Sequence, residues 1–270
     1  ASAGCLGGGG SGDGTDTPRG YDHPGTLETT FVANGDYPDD GDPTDGYAPE
    51  FDDQPAAPDA DTDAFETLDV NGETVPLAPI EDVYYWYRRQ SARFADARGA
   101  TQYDRAHISG AVHSPAPDGK ASGDPIADWP TDDRIVCYCA CPHHLSSLRA
   151  ASLIADGYET VYVIDEGFGV WYDRGYPVNG SAVEQLPDPV MVEGRASTAA
   201  AGDYAWGIHE PSDQQEAAPI ASDGTWKLEL RFSGLTDDSP IRIETPDYDV
   251  ERPLALLRDG YVTVDGTVRS

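Results

Sequence analysis

Three of the four cysteines fall within five residues, in the stretch IVCYCACPHHLSSLRAA (135–151), and two adjacent histidines follow them. Cys137, Cys139, Cys141, His143 and His144 together allow three chemistries. Soft thiolates with imidazoles suit zinc or copper(I). Two thiols one residue apart could form a redox pair, although a Cys139–Cys141 disulfide would close a tight, strained and readily reduced ring. A single thiol in a loop that opens a helix could be a nucleophile. Against the metal stands the spacing: the ligands crowd together, no second cluster follows at finger-like distance, and adjacent histidines point different ways. No metal or other cofactor is expected.

The elements that must carry these residues can be read around them. RIVCY is a short apolar run of the buried-strand type, and SSLRAASLIADGY is amphipathic with Gly157 as its stop. Cys139 is therefore placed where a buried strand gives way to a loop that opens a helix. In a parallel sheet that is the carboxyl edge, where open α/β folds bind ligands. Amides of Ala140, Cys141, Pro142 (which lacks an N–H), His143, His144, Leu145 and Ser146, with the amino end of the helix, would form a cup of positive potential. Such a field favours thiolate and makes Cys139 the candidate nucleophile. Cys137, two residues earlier, shares its sheet face and reads as core. Cys141 stays open between a second, resolving thiol, the nucleophile itself and a packed loop residue.

Around this centre, TLDVNGETVPL has the pattern of a hairpin turning at Asn71-Gly72, and IEDVYYWYRR that of a helix. ARFADAR and TVYVIDEG read as further strands. Strands alternating with helices predict an α/β domain over 65–180, a mainly parallel sheet flanked by helices. From 186 to 270 the helical signals vanish, and GTWKLELRFSGL, PIRIETPDYDV and DGYVTVDGTV alternate with regular turns. A small all-β sandwich, an accessory domain that could dock a protein partner, is expected there. Its Asp203 and His209 stand alone and suggest no catalysis. Residues 1–64 are rich in Gly, Asp and Pro and are expected to be a disordered acidic tether. Its aromatics Tyr21, Phe31, Tyr37, Tyr47 and Phe51 are spaced so that it could drape over the folded part. Asp59, Asp61 and Asp63 have the alternation of a calcium loop without its glycine or closing Glu.

Across the 270 residues, 49 acidic side chains face 17 basic ones, a net charge of −32. That sign argues against binding nucleic-acid phosphates. With aspartate dominant and Lys120 and Lys227 the only lysines, it fits a protein working at molar salt, where screening contracts to roughly 3 Å. No run of about eighteen apolar residues occurs, so membrane attachment is expected only through a lipid. Small residues before Cys5, then a Gly/Ser/Asp tether, have the form of a lipoprotein cleavage site, with Cys5 as the lipidated residue. An exported, cell-surface, lipid-anchored protein is expected.

The segments FADARGATQYDRAHISGAVHSP (94–115), DDRIVCYCACPHHLSSLRAASLIADGYETVYVIDEG (132–167) and GVWYDRGYPV (169–178) resemble, in order and spacing, the rhodanese-like family. The resemblance, of haloarchaeal type, covers about 40% of the chain and leaves the tail and the sandwich aside. It implies a sulfurtransferase in which Cys139 takes sulfane sulfur from thiosulfate or a related small anion as a persulfide and passes it to a thiophilic acceptor. The alternative is a catalytically silent rhodanese-like binding module on the cell surface. By the same resemblance Asp96 and Arg98 pair to fix the loop after their strand, and His107 satisfies backbone groups near the ISGA turn. Trp171 plugs the core and Glu166 to Gly169 line the cup. His113, leaving a neighbouring strand end, could approach it. The family's loop arginine and glycine are missing from CACPHHLSS. Arg149, further into the helix, is expected to face outward. Leu145 occupies the position where phosphatase-like relatives need an arginine, which removes the phosphate clamp.

Overall fold

Asn71 and Gly72 adopt φ values of 53° and 88°, the left-handed pair that a two-residue hairpin turn requires. They join β1 (Glu66–Val70) to β2 (Glu73–Ala78) in antiparallel register. The computed structural model describes residues 43–51, 55, 60–140, 142–184 and 186–269. Helix α1 (Ile80–Arg88) follows, then β3 (Arg93–Asp96), α2 (Ala100–Arg105), β4 (His107–Ile108) and β5 (Val112–His113). Next come β6 (Arg134–Tyr138), α3 (Leu145–Ala155), β7 (Thr160–Ile164), α4 (Gly167–Asp173) and β8 (Val178–Asn179).

These strands make a six-stranded sheet in the order β1-β2-β7-β6-β3-β5, parallel except for the β1–β2 hairpin. Side chains alternate across it, so each face has its own core. Val136, Tyr138, Phe94, Trp86 and Trp171 lie on one side; Ile135, Cys137, Ala95 and Val163, with Leu145 and Leu148 of α3, lie on the other. Gly157, at φ 95°, ends the α3 segment as its sequence position requires.

The end of the N-terminal segment is not free. Ala48 and Phe51 are buried in the first core, Phe94 donates its backbone N–H to the Gly46 carbonyl at 2.7 Å, and Arg93 stacks on Tyr47. The tether expected over 1–64 is therefore packed against the α/β domain at 43–51. Apolar area and an otherwise unpaired sheet-end amide hold it there.

The C-terminal part carries β9 (Val190–Arg195), β10 (Tyr204–His209), β11 (Gln214–Pro219), β12 (Thr225–Leu230), β13 (Pro240–Glu244) and β14 (Asp249–Pro253). Helix α5 (Leu254–Arg258), β15 (Tyr261–Val262) and β16 (Val268–Arg269) complete it. Two four-stranded sheets result, β11-β10-β13-β14 and β12-β9-β15-β16. They share a core of Val192, Ala205, Trp226, Leu228, Ile241 and Leu257. Helix α5 departs from the expectation of strands alone. Its LALLR buries Leu254 and Leu257, three residues apart, as one helical turn allows.

Candidate active site

Strand β6 ends at Tyr138, and Cys139 is the first residue beyond it. The parallel neighbours pin this end, with Asp96 beside Tyr138 and Val163 beside Cys137. Phe168 donates its N–H to the Cys139 carbonyl at 2.9 Å, and Gly169 donates to that of Ala140 at 3.2 Å. The loop is thus tied at its start to the beginning of α4. The Cys139 side chain lies on the same face as Cys137, and its Sγ is 3.3 Å from the Oγ of Ser146, inside the first turn of α3. The amino end of this eleven-residue helix favours negative charge at that point. Cys137 is a packing group: burial pushes its thiol up to about 12.

The rest of the loop is held from two sides. His143, at a left-handed φ of 42°, places its Nε2 2.9 Å from Asp165 Oδ1, just past the end of β7. His144 precedes α3 and accepts the Ser147 hydroxyl on its carbonyl at 3.0 Å. Burial, then the neighbouring His143, lowers its imidazole to about 4, only partly opposed by a hydrogen bond to the Ala217 backbone. It is neutral near pH 7. Ala140, Leu145 and Ser146 are buried and Pro142 half-buried. Cys141 and Cys5 lie outside the described residues, as does Asp59 of the aspartate run. Among the described residues no group of three or more His, Cys, Asp or Glu is arranged to hold a metal ion. Also among them, no helix is long and apolar enough to cross a membrane.

Asp96 and Arg98 pair twice, at 2.9 Å through Nε and 2.5 Å through Nη2, and Nη2 also donates to the Ala106 carbonyl at 2.7 Å. The Arg98 guanidinium lies 4.3 Å over the Phe168 ring. Burial opposes its charge, but Asp96 first, then Tyr138 and Cys139, hold its pKa above the usual arginine value. The loop itself has no arginine, yet Arg98 of the preceding strand end stands within electrostatic reach of Cys139. Sequence spacing gave no sign of this, because the loop after β3 and the loop after β6 meet only across the sheet edge.

Other expectations fared differently. His107 satisfies the Tyr103 carbonyl of α2 at 2.8 Å and stacks on the Tyr103 ring. His113 is committed to the Arg98 carbonyl at 2.9 Å. Trp171 is fully buried and donates to the Pro177 carbonyl. Glu166 is buried at the end of β7, accepting from the Ile80 N–H at 3.0 Å. Burial, then the charges of Glu81 and Asp165, push its carboxyl up to about 8. Arg149 does not face outward. It is 3% exposed, donates to Ser114 Oγ at 2.8 Å and lies 3.6 Å from Asp124. A helix position read from its own sequence does not reveal a hydrogen-bonding pocket supplied by β5 and the loop beyond it.

The two-sheet part closes over this site. Ala217 of β11 belongs to the same core cluster as Cys139, with Tyr204 and Trp206 of β10 packed against it. Tyr204 hydrogen-bonds the Ser147 side chain at the start of α3. Gln215 donates its N–H to Gln102 Oε1 at 3.1 Å and its Nε2 to the Ala116 carbonyl at 3.0 Å. Gly99 lies so close to β11 that a Cβ there would sit 2.2 Å from the Asp213 carbonyl oxygen. Cys139 is left with 0% exposure. No residue pattern near the cysteines signals this cover, since its strands lie more than sixty residues downstream.

A family model described as the rhodanese-like domain matches residues 81–174. A thiosulfate sulfurtransferase GlpE of Pseudomonas entomophila is 37% identical over 87 residues, which span 31% of this chain and 73% of the relative. The protein of the same name from Pseudomonas savastanoi pv. phaseolicola is 35% identical over 85 residues, 31% of this chain and 76% of that one. Among solved structures, a rhodanese-like domain from Anabaena sp. aligns with a TM-score of 0.36 at 20% identity, covering 42% of this chain and 84% of that domain. Through its α/β domain, the chain belongs to the rhodanese-like family of sulfurtransferases.

Proposed function

We propose that the protein moves sulfane sulfur through a persulfide on Cys139. The Cys139 thiolate attacks the outer sulfur of a donor such as thiosulfate. The donor's S–S bond breaks and sulfite leaves with the electron pair. A thiophilic acceptor then attacks the outer sulfur of the persulfide, and the Cys139 thiolate is released. The observation that carries this proposal is the position of Cys139 one residue past β6, with its Sγ 3.3 Å from Ser146 Oγ at the amino end of α3. Hydrogen bonding and the helix terminus both favour an anionic sulfur there. Arg98 supplies the neighbouring positive charge that the loop lacks.

Because Cys139 is covered, donor access requires β10 and β11 to part from the loop and the start of α3, breaking the His144–Ala217 and Tyr204–Ser147 contacts. The two sheets, taken as an accessory sandwich over 186–270, would then act as the gate and offer a surface to a protein partner. Attachment at the cell surface by a lipid on Cys5, and work at high salt, belong to the same proposal. They are supported by the small residues around Cys5 and the Gly/Ser/Asp stretch after it, and by the net charge of −32. Wild-type protein found in the soluble fraction rather than with membranes would remove the tether.

The catalytic proposal is tested by following sulfite release and thiocyanate formation from thiosulfate and cyanide at molar salt. Turnover is expected in the wild type and none in Cys139→Ser. Equal turnover in that variant would remove the assignment.

A further inference from the structure

A second feature lies where the two parts of the chain meet. A narrow cleft, open to solvent, is lined by three guanidinium groups, Arg98, Arg105 and Arg231. Among the described residues no carboxylate lines it, in a chain where acidic side chains outnumber basic ones 49 to 17. Arg98 is committed to Asp96 and to the Ala106 carbonyl, and Arg231 to Glu229 at 2.6 Å. Arg105, at the last position of α2, accepts the Ala182 N–H on its carbonyl, but its guanidinium has no hydrogen-bond or ion-pair partner among the described residues.

Gln102, one turn earlier, points to a ligand independently. It is 5% exposed and lines the same cleft. Its Oε1 accepts two backbone N–H groups, from Gly99 at 3.0 Å and from Gln215 at 3.1 Å, which fixes the orientation of the amide. Its Nε2 is buried with no acceptor. A buried amide N–H₂ left unpaired costs about 1–3 kcal/mol, so a site that keeps one is expected to supply its acceptor from outside. Ala106, Phe168 and Leu186 give the wall an apolar stretch, beside Gln214 and Ser233.

We propose that this cleft is a binding site for an organic anion, a carboxylate or sulfonate on a short apolar body. The anionic group pairs with Arg105 and accepts from Gln102 Nε2, Arg231 closes on it from the β module, and the apolar body lies on Phe168 and Leu186. The site needs both parts of the chain, because Arg231 and one of the two N–H groups that orient Gln102, that of Gln215, come from the two-sheet part. It does not need the Cys139 thiol, so it stands or falls separately from sulfur transfer.

The test is calorimetric titration of the full chain with 1-butanesulfonate at constant ionic strength. One saturable site is expected, retained in Cys139→Ser. Arg105→Gln and Arg231→Gln should each weaken it at least tenfold without lowering the melting temperature. Gln102→Glu keeps an oxygen for the Gly99 and Gln215 N–H groups but sets a carboxylate where the free N–H₂ stands, and should abolish binding. No saturable binding, or wild-type affinity in the arginine variants, would overturn the proposal. Sulfate binding as tightly as butanesulfonate would overturn the role of the apolar wall.

Discussion

The Sγ of Cys139 and the Oγ of Ser146 are 3.3 Å apart and both fully buried, one just beyond β6 and the other in the first turn of α3. A hydroxyl in that position can donate to a thiolate or persulfide and loses its partner when the sulfur is removed. Hydrogen bonds to charged groups are worth about 1.5–3 kcal/mol, so Ser146→Ala should slow persulfide formation at pH 7 by roughly tenfold or more. Stopped-flow rates across pH would show the thiol titrating higher in the variant. An unchanged profile would mean that Ser146 only packs.

Glu166 gives a stability prediction with a definite sign. Its carboxyl is raised from 4.5 to about 8 by burial and by Glu81 and Asp165. For an acid whose folded pKa is raised, the stabilising difference is complete below the unfolded value and is lost as pH rises toward the folded one. Each unit in that window costs about 1.4 kcal/mol. Glu166→Gln, which keeps an acceptor for the Ile80 N–H, should therefore match the wild type near pH 4.5 and exceed it by a few kcal/mol at pH 8. Denaturant midpoints at constant salt would show it, and parallel pH curves for the two proteins would refute it.

Arg149 is a structural residue. Its Nε donates to Ser114 at 2.8 Å, and Asp124, 3.6 Å away, in turn accepts from Ser114 Oγ and from the N–H groups of Lys120 and Ile126. Arg149→Met leaves a buried polar hub without its cation, a change that typically costs about 3 kcal/mol or more. Chemical denaturation should report that loss. The KM for thiosulfate should stay within twofold, whereas a direct clamp on the donor would raise it by more than tenfold.

The features that could be read from the sequence are those that local chain geometry decides. Asn71-Gly72 demanded a turn, and the apolar run before Cys139 followed by an amphipathic stretch demanded strand, loop and helix. Cys137 and Cys139 fell on one face because strand side chains alternate. The features that escaped are those decided by partners far along the chain. Arg149 turned inward to meet Ser114, thirty-five positions away. Residues 43–51 were ordered by the Phe94 amide and by the core beneath Phe51. The cover over Cys139, from Ala217, Tyr204 and Trp206, has no counterpart near the cysteines. Arg98 could be read as the partner of Asp96 but not as a neighbour of the sulfur.

The central claim is that Cys139 carries the sulfur, and the mass of the intact chain tests it most directly. Protein incubated with thiosulfate, 3-mercaptopyruvate or polysulfide at molar salt should gain one sulfur atom, located on the peptide that contains Cys139. The gain should persist in Cys141→Ser and disappear in Cys139→Ser. A sulfur adduct that survives in Cys139→Ser, or no adduct with any of the three donors, would contradict the account.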